Sequence, residues 1–275
     1  QYLSMSSIQW KAGVEVNVNR LWNNFKKYRF LLVELVKKDI KLKYRRSYLG
    51  ILWTLLEPLL TTAVLTIVFG NLLGKGGRTF PVYILTGRLL YTFFSTSTKA
   101  AMKSIRKNSG MIKKVYVPKY IYPFSTVLSN YIIFIISLIV LFFAAIVFDI
   151  KPTWHIFQAV IPLFLLLVLA LGVGMILSTL AVFFRDLEYL WSVALMLVMY
   201  TCAIFYHVED LKLGSRIWIF KFNPLYLIIL NFRNAIFGRP MDMEALIISG
   251  ISSFAAFLFG ILFFYKQQDK FIMNI

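Results

Sequence analysis

Apolar residues in this chain fall in long blocks, without the short alternations of a soluble fold. Six blocks are long enough to cross about 30 Å of hydrocarbon as helices. They lie near residues 51–73, 80–102, 124–148, 154–184, 187–206 and 245–265. The expected fold is an all-α membrane protein with six transmembrane helices. The fourth block is overlong and carries Pro162, which predicts a tilt or kink near its start. Residues 51–275 read as one membrane domain with no room for a separate soluble enzyme.

Two segments break this pattern. Before the first block, Leu32, Val36 and Ile40 share one helical face, with Lys37, Lys38, Lys41 and Arg45 opposite. Residues 1–50 therefore read as a cytoplasmic segment whose amphipathic helix lies along the inner membrane surface. A plain solvated basic helix is the alternative. Asp39 and Lys43 interrupt the apolar side at a spacing that lets them pair. Before the last block, residues 217–237 are nearly apolar enough to span, but Lys221, Asn223, Pro224, Asn231, Arg233 and Asn234 interrupt them. Asn223 suits an N-cap and Pro224 a first helical position. The expectation is a re-entrant outer helix that enters the outer leaflet and returns. A simple anchor in that leaflet is the blander reading.

Charge fixes the orientation. The chain is 59% hydrophobic yet carries a net charge of +18. With the N-terminus in the cytoplasm, 21 of the 30 Lys and Arg fall on the inner side and nine on the outer. That asymmetry places both termini inside a multi-pass cell membrane protein. So basic a chain often binds nucleic acid; here the charges flank membrane helices, so acidic membrane lipid is the expected partner and nucleic acid is not. The first fifty residues lack the apolar core of a cleavable leader, and none is expected. The single cysteine, Cys202, permits no intrachain disulfide, and His155 and His207 lie far apart, so no metal site is expected.

Four motifs recur in a telling order. Arg45-Arg46-Ser47-Tyr48-Leu49-Gly50 runs into the first block, which carries Glu57-Pro58. Ser109-Gly110-Met111-Ile112-Lys113-Lys114 precedes Pro118 and Pro123. Phe184-Arg185-Asp186-Leu187 joins blocks four and five, and Asn223-Pro224-Leu225 with Phe232-Arg233-Asn234 precedes the last. Together they resemble the membrane subunit of ABC transporters that export lipid-linked polysaccharides, over nearly the whole chain. Within that family the chain most resembles the wall teichoic acid exporters, with the O-antigen exporters next. The resemblance implies a homodimeric permease driven by a separate ABC ATPase and handling an undecaprenyl-type lipid-linked polymer. Arg88 departs from it, standing where an apolar residue is expected.

The residues themselves narrow the chemistry. No Gly-x-x-x-x-Gly-Lys-Ser/Thr loop is present, so no cofactor is expected on this chain, and ATP and Mg belong to the partner subunit. The expected coupling residues are Asn108, Met111, Ile112, Lys113 and Lys114, with Arg185 and Asp186 at the other inner turn. A solvated positive-inside loop and a tie between helices are the competing readings. Expected substrate-path residues are Tyr83, Arg88, Tyr91, Phe94, Tyr200 and Tyr206, although packing is the better reading for any single aromatic. Asn223, Pro224, Asn231, Arg233 and Asn234 form the expected outer gate, with Arg233 placed to meet phosphate. Glu57, about two turns into the first block, calls for a basic neighbour, and Lys99 or Lys103 match its depth. The alternatives are an O-antigen or capsule permease and, from another class, a glycosyl or acyl transferase on a lipid carrier. A transferase needs clustered acids or histidines at one face; the outer acids Asp149, Glu209, Asp210, Asp242 and Glu244 are few and dispersed.

Overall fold

In a computed structural model the chain is helical throughout, with no strand among the described residues, which are 18–45, 48–72, 77–114, 117–151, 153–206, 208 and 218–274. Residues 1–17, 46–47, 73–76, 115–116, 152, 207, 209–217 and 275 lie outside them. The elements are α1 (Val18–Tyr44), α2 (Trp53–Leu65), α3 (Phe80–Lys107), α4 (Ser109–Ile112), α5 (Ile121–Val147) and α6 (Val160–Phe183). Then follow α7 (Leu187–Thr201), α8 (Trp218–Lys221), α9 (Pro224–Ile236), α10 (Met243–Gln267) and α11 (Phe271–Asn274).

Among the described residues four helical stretches are long and apolar enough to cross a membrane: Gly50–Gly70, Ile121–Val147, Trp154–Phe183 and Met243–Lys270. The second predicted block is different in kind. Its helix, α3, is 28 residues long, about 42 Å at 1.5 Å per residue, but carries Arg88 and many hydroxyl residues. It tolerates them because most of its surface is buried against α5 and α6. The fifth block was expected as one helix over 187–206; it breaks after Thr201. α7 is 15 residues, about 22 Å, and the chain then turns through Cys202, Ala203, Ile204 and Phe205, all buried. Near Pro162, where a tilt or kink is expected, the helix changes type. A 3-10 segment, Trp154–Ala159, leads into α6, so Pro162 falls in the first α-helical turn, where its missing N–H leaves no bond unmade.

α6 is the central element. It packs on α3, α5 and α10, and its pairing with α10 is closest at two glycines. A Cβ on Gly172 would lie 2.5 Å from the Ala256 and Phe257 backbone, and one on Gly260 would lie 2.5 Å from the Gly172 carbonyl oxygen. Backbones meet here directly, the small-residue packing that membrane helices use where lipid removes the hydrophobic drive.

The end that carries α1, predicted to be the inner one, has its own core, where Leu32 and Leu35 of α1 meet Ile105, Ile112, Tyr122, Phe264 and Phe271. The apolar face of α1 is thus turned onto the protein. Asp39 does not pair with Lys43 as the spacing suggested. It meets Lys107 Nζ (3.4 Å) and accepts from Thr126 Oγ1 (3.4 Å), which explains a carboxylate on the protein-facing side. Lys119 donates to the Gln268 carbonyl (2.5 Å) and ties the C-terminal turn to the same end.

Candidate functional site

The half predicted to be outer is organised around one buried cation among the described residues, Arg233. Arg233, on α9, reaches the junction of α3 and the break after α7. Its Nε donates to Thr86 Oγ1 (3.4 Å), Nη1 to the Ala203 carbonyl (3.1 Å) and Nη2 to the Tyr83 carbonyl (3.2 Å). The guanidinium also lies 3.6 Å from the centre of the Tyr83 ring, a cation–π contact. Ala203 has φ +47°, uncommon for a residue with a Cβ, and its carbonyl also accepts from Tyr83 Oη (3.2 Å). The helix break therefore finds donors for a backbone carbonyl that would otherwise be unpaired in an apolar medium. Gly87 makes the room, because a Cβ there would sit 2.6 Å from Arg233 Nη2.

The sequence placed Arg233 to meet phosphate; in this structure each of its three guanidinium nitrogens donates inside the fold. The other expected gate residues are sewn down as well. Asn223 is the predicted N-cap, its Oδ1 accepting from the Leu225 and Tyr226 amides (3.0 and 3.4 Å), with Pro224 as the first helical residue. Its Nδ2 donates to Thr201 Oγ1 (2.9 Å). Asn231 is fully buried and pairs both ends of its amide with the Asp242 backbone, at 3.1 and 2.8 Å. The Asn234 carbonyl accepts from the Arg239 amide (2.8 Å). We expect Asn223→Ala to cost about 1 kcal/mol through the lost cap. A detergent unfolding midpoint equal to that of the parent would refute this.

The aromatic path residues divide. Tyr91 is buried and donates to the Leu195 carbonyl (2.8 Å); Phe94 is buried beside Trp191. With Tyr83, whose hydroxyl also donates to the Tyr206 carbonyl (2.9 Å), they fasten α3 to α7 and its extension. Tyr206 Oη donates to the Tyr200 carbonyl, and Tyr200 is exposed. Arg88 donates weakly to Met199 Sδ (3.9 Å) and faces a cavity between α2, α3 and α5.

At the inner face α4 is a single turn after Asn108, whose Nδ2 donates to the Ser104 carbonyl (2.8 Å). Ile112 is buried in the inner core, so of the expected coupling pair only Met111 is presented, together with Lys113 and Lys114. Arg185 and Asp186 are exposed at the α6–α7 turn. Lys103 pairs with Glu188 (2.8 Å) and not with Glu57. The cation that shares the Glu57 cavity from α1 is Lys43, whose ammonium is pushed below its ordinary pKa by burial and partly restored by the Glu57 carboxylate.

The profile of the ABC-2 type transporter family matches residues 31–237. The chain belongs to that family. It is 28% identical over 243 residues to the O-antigen export system permease protein RfbA of Klebsiella pneumoniae, covering 88% of this chain and 93% of that protein. The RfbA protein of Myxococcus xanthus is likewise 28% identical, over 93% of this chain and 99% of its own length. The polysialic acid transport protein KpsM of Escherichia coli is 22% identical over 78% of this chain and 84% of its own.

The sequence reading missed Thr86, Gly87 and Ala203 as parts of the Arg233 clamp. Only a glycine beside an arginine in the second block hinted at it. No periodicity marks which side chain a small residue makes room for.

Proposed function

We propose that this chain is the permease half of an ATP-driven exporter of a lipid-linked, anionic cell-envelope polymer. Two copies work with a separate ABC ATPase that holds ATP and Mg. The observation that carries this reading is the match along nearly the full length to permeases named for O-antigen export. In this reading α3 and α7, the latter with its buried extension, add two crossings to the four apolar ones, and α8–α9 form the re-entrant outer hairpin. Both termini and the α4 turn then face the cytoplasm. Residues 1–50 act as the interface segment and residues 51–275 as the permease domain. In this reading the hydrated polymer takes a path between two copies.

A teichoic acid-like polymer is the finer reading, supported by nine basic against five acidic residues on the outer side. O-antigen or capsule polysaccharide is the alternative that the relatives' names suggest. A membrane transferase fits less well. Asp149 pairs with Arg78, Glu244 with Lys221 (3.3 Å), and Asp242 caps α10, so these three outer acids are engaged structurally.

The test is reconstitution of the permease with its ATPase in vesicles, supplied in turn with teichoic acid-, O-antigen- and capsule-type lipid-linked polymers. Export coupled to ATP hydrolysis is expected for one class; an ATPase that neither binds the permease nor responds to any polymer would refute the reading. The coupling residues are proposed within it. Met111→Asp puts a charge at a packed contact and is expected to lower export at least fivefold while the permease stays folded, because Met111 is exposed in the free chain. Unchanged export would remove α4 as the coupling element.

A further inference from the structure

One cavity is left unexplained by the clamp or the inner core. It has a volume of about 310 Å³ and lies between α2, α3, α5 and the last turn of α1. That is at the lower end of the roughly 300–1,000 Å³ typical of ligand pockets. Its walls are three polar stripes at helical spacing. α2 contributes Trp53, Glu57 and Thr61; α3 contributes Arg88, Thr92 and Thr96; α5 contributes Asn130 and Ser137. Each stripe rises about 10–12 Å along its helix. α3 runs antiparallel to its neighbours, so Arg88 lies at the deep end with Thr61 and Ser137. Thr96, Asn130 and Trp53 lie toward the inner mouth, where Lys43 and Tyr44 of α1 complete the rim.

The charges in this cavity are not paired with one another. Among the described residues no carboxylate comes within 4.0 Å of Arg88 or Lys43, and Glu57 has no basic partner at that range. Arg88 has its weak contact with Met199, and Lys43 lies 5.9 Å from the Tyr44 ring. Donors are also left over. Thr96 and Thr61 spend their hydroxyl protons on helix carbonyls, but the Thr92 hydroxyl makes no bond among the described residues, and Asn130 spends one N–H on the Thr126 carbonyl (2.8 Å) and keeps the other. An ionised residue held in a membrane domain without a partner is costly, and such a residue marks a ligand or ion path. Two cations, one carboxylate, spare donors and aromatic walls together fit a phosphate with a sugar or isoprenoid attached.

We propose that this cavity is a headgroup site. It takes the phosphate or diphosphate of a lipid arriving from the inner leaflet, with Arg88 gripping it at depth and Lys43 at the mouth. Glu57 opposes the anion and keeps binding weak enough for release. The choice of a polymer carrier over bulk lipid rests on the export reading; the site itself does not.

The test uses the full chain in nanodiscs and a polyprenyl diphosphate as probe. Phosphatidylglycerol and inorganic pyrophosphate serve as competitors, and export by the wild-type permease with its ATPase is measured in parallel. Arg88→Leu is expected to weaken probe binding about tenfold, Arg88→Lys to retain most of it, and Glu57→Gln to tighten it about threefold, since charge-assisted contacts carry the binding. Arg88→Leu is a variant expected to fold, because the position faces a cavity and an apolar side chain suits a membrane helix. Unchanged binding by Arg88→Leu overturns the proposal. So does weaker binding by both Arg88→Leu and Glu57→Gln, which marks a structural role. Phosphatidylglycerol competing as well as the probe assigns the site to bulk lipid and overturns the carrier assignment. Arg88-dependent binding of the probe without any export supports the site and sinks only the export reading.

Discussion

Arg233→Ala is expected to destabilise the folded permease by about 3 kcal/mol, and three opposing effects set the size. The variant loses three hydrogen bonds from a charged donor, each worth about 1.5–3 kcal/mol. It gains back the several kcal/mol spent on burying a cation. Those two nearly offset, so the void left by a large side chain decides the outcome, at about 2–5 kcal/mol for truncation to Ala. The carbonyls are not fully orphaned, since Thr86 Oγ1 still donates to the Tyr83 carbonyl (2.8 Å) and Tyr83 Oη to that of Ala203. The same arithmetic orders the variants. Arg233→Met fills the space without the charge and falls least. Arg233→Lys keeps a buried cation that cannot reach three acceptors, and falls at least as far as Ala. Cys202 supplies the readout, being the single cysteine and fully buried beside the clamp. A thiol-reactive dye should label it at lower temperature in the Ala and Lys variants. Labelling curves that overlay the parent would show that the clamp contributes nothing to stability.

Gly172→Ala and Gly260→Ala should each cost at least 1–3 kcal/mol, the usual range for overpacking. The new methyl meets backbone at 2.5 Å, and backbone cannot rotate aside as a side chain can. The helices must separate, and in lipid no hydrophobic force draws them back. Both substitutions push the same two helices apart, so the double variant should cost less than the sum of the singles. Gly250→Ala on the same helix meets nothing within 4 Å and is the control. Folded fractions in a denaturing detergent titration would decide the matter. A Gly172→Ala midpoint equal to that of Gly250→Ala would mean that α6 and α10 are not held by backbone contact.

The two predictions rest on residues that the sequence presents very differently. Arg233 and Asn231 stand out in an apolar run, and their polarity invites a ligand-facing role. The structure turns both inward, because an unpaired polar backbone at the break after α7 and at the start of α10 needs donors and acceptors more than the surface does. Glu57 was legible as an ionisable residue needing a neighbour, but depth along a helix does not say which helix stands beside it. Lys103 has the right depth and is held instead by Glu188, while Lys43 arrives from an element that does not cross the membrane.

By itself, the sequence determined the helical class, the positions of the long apolar elements and the cap at Asn223. Each of these is a local property, set by the length of an apolar run or the φ preference of one residue. The tertiary structure alone decided where the fifth block breaks, that Arg233 is a clamp, and that Ile112 belongs to the inner core. It also placed Arg88, Glu57 and Lys43 around one cavity. These depend on which faces meet across helices far apart in the chain, and in a membrane protein nearly every face is apolar. Periodicity therefore cannot separate the side that meets lipid from the side that meets protein; the contact itself makes the distinction.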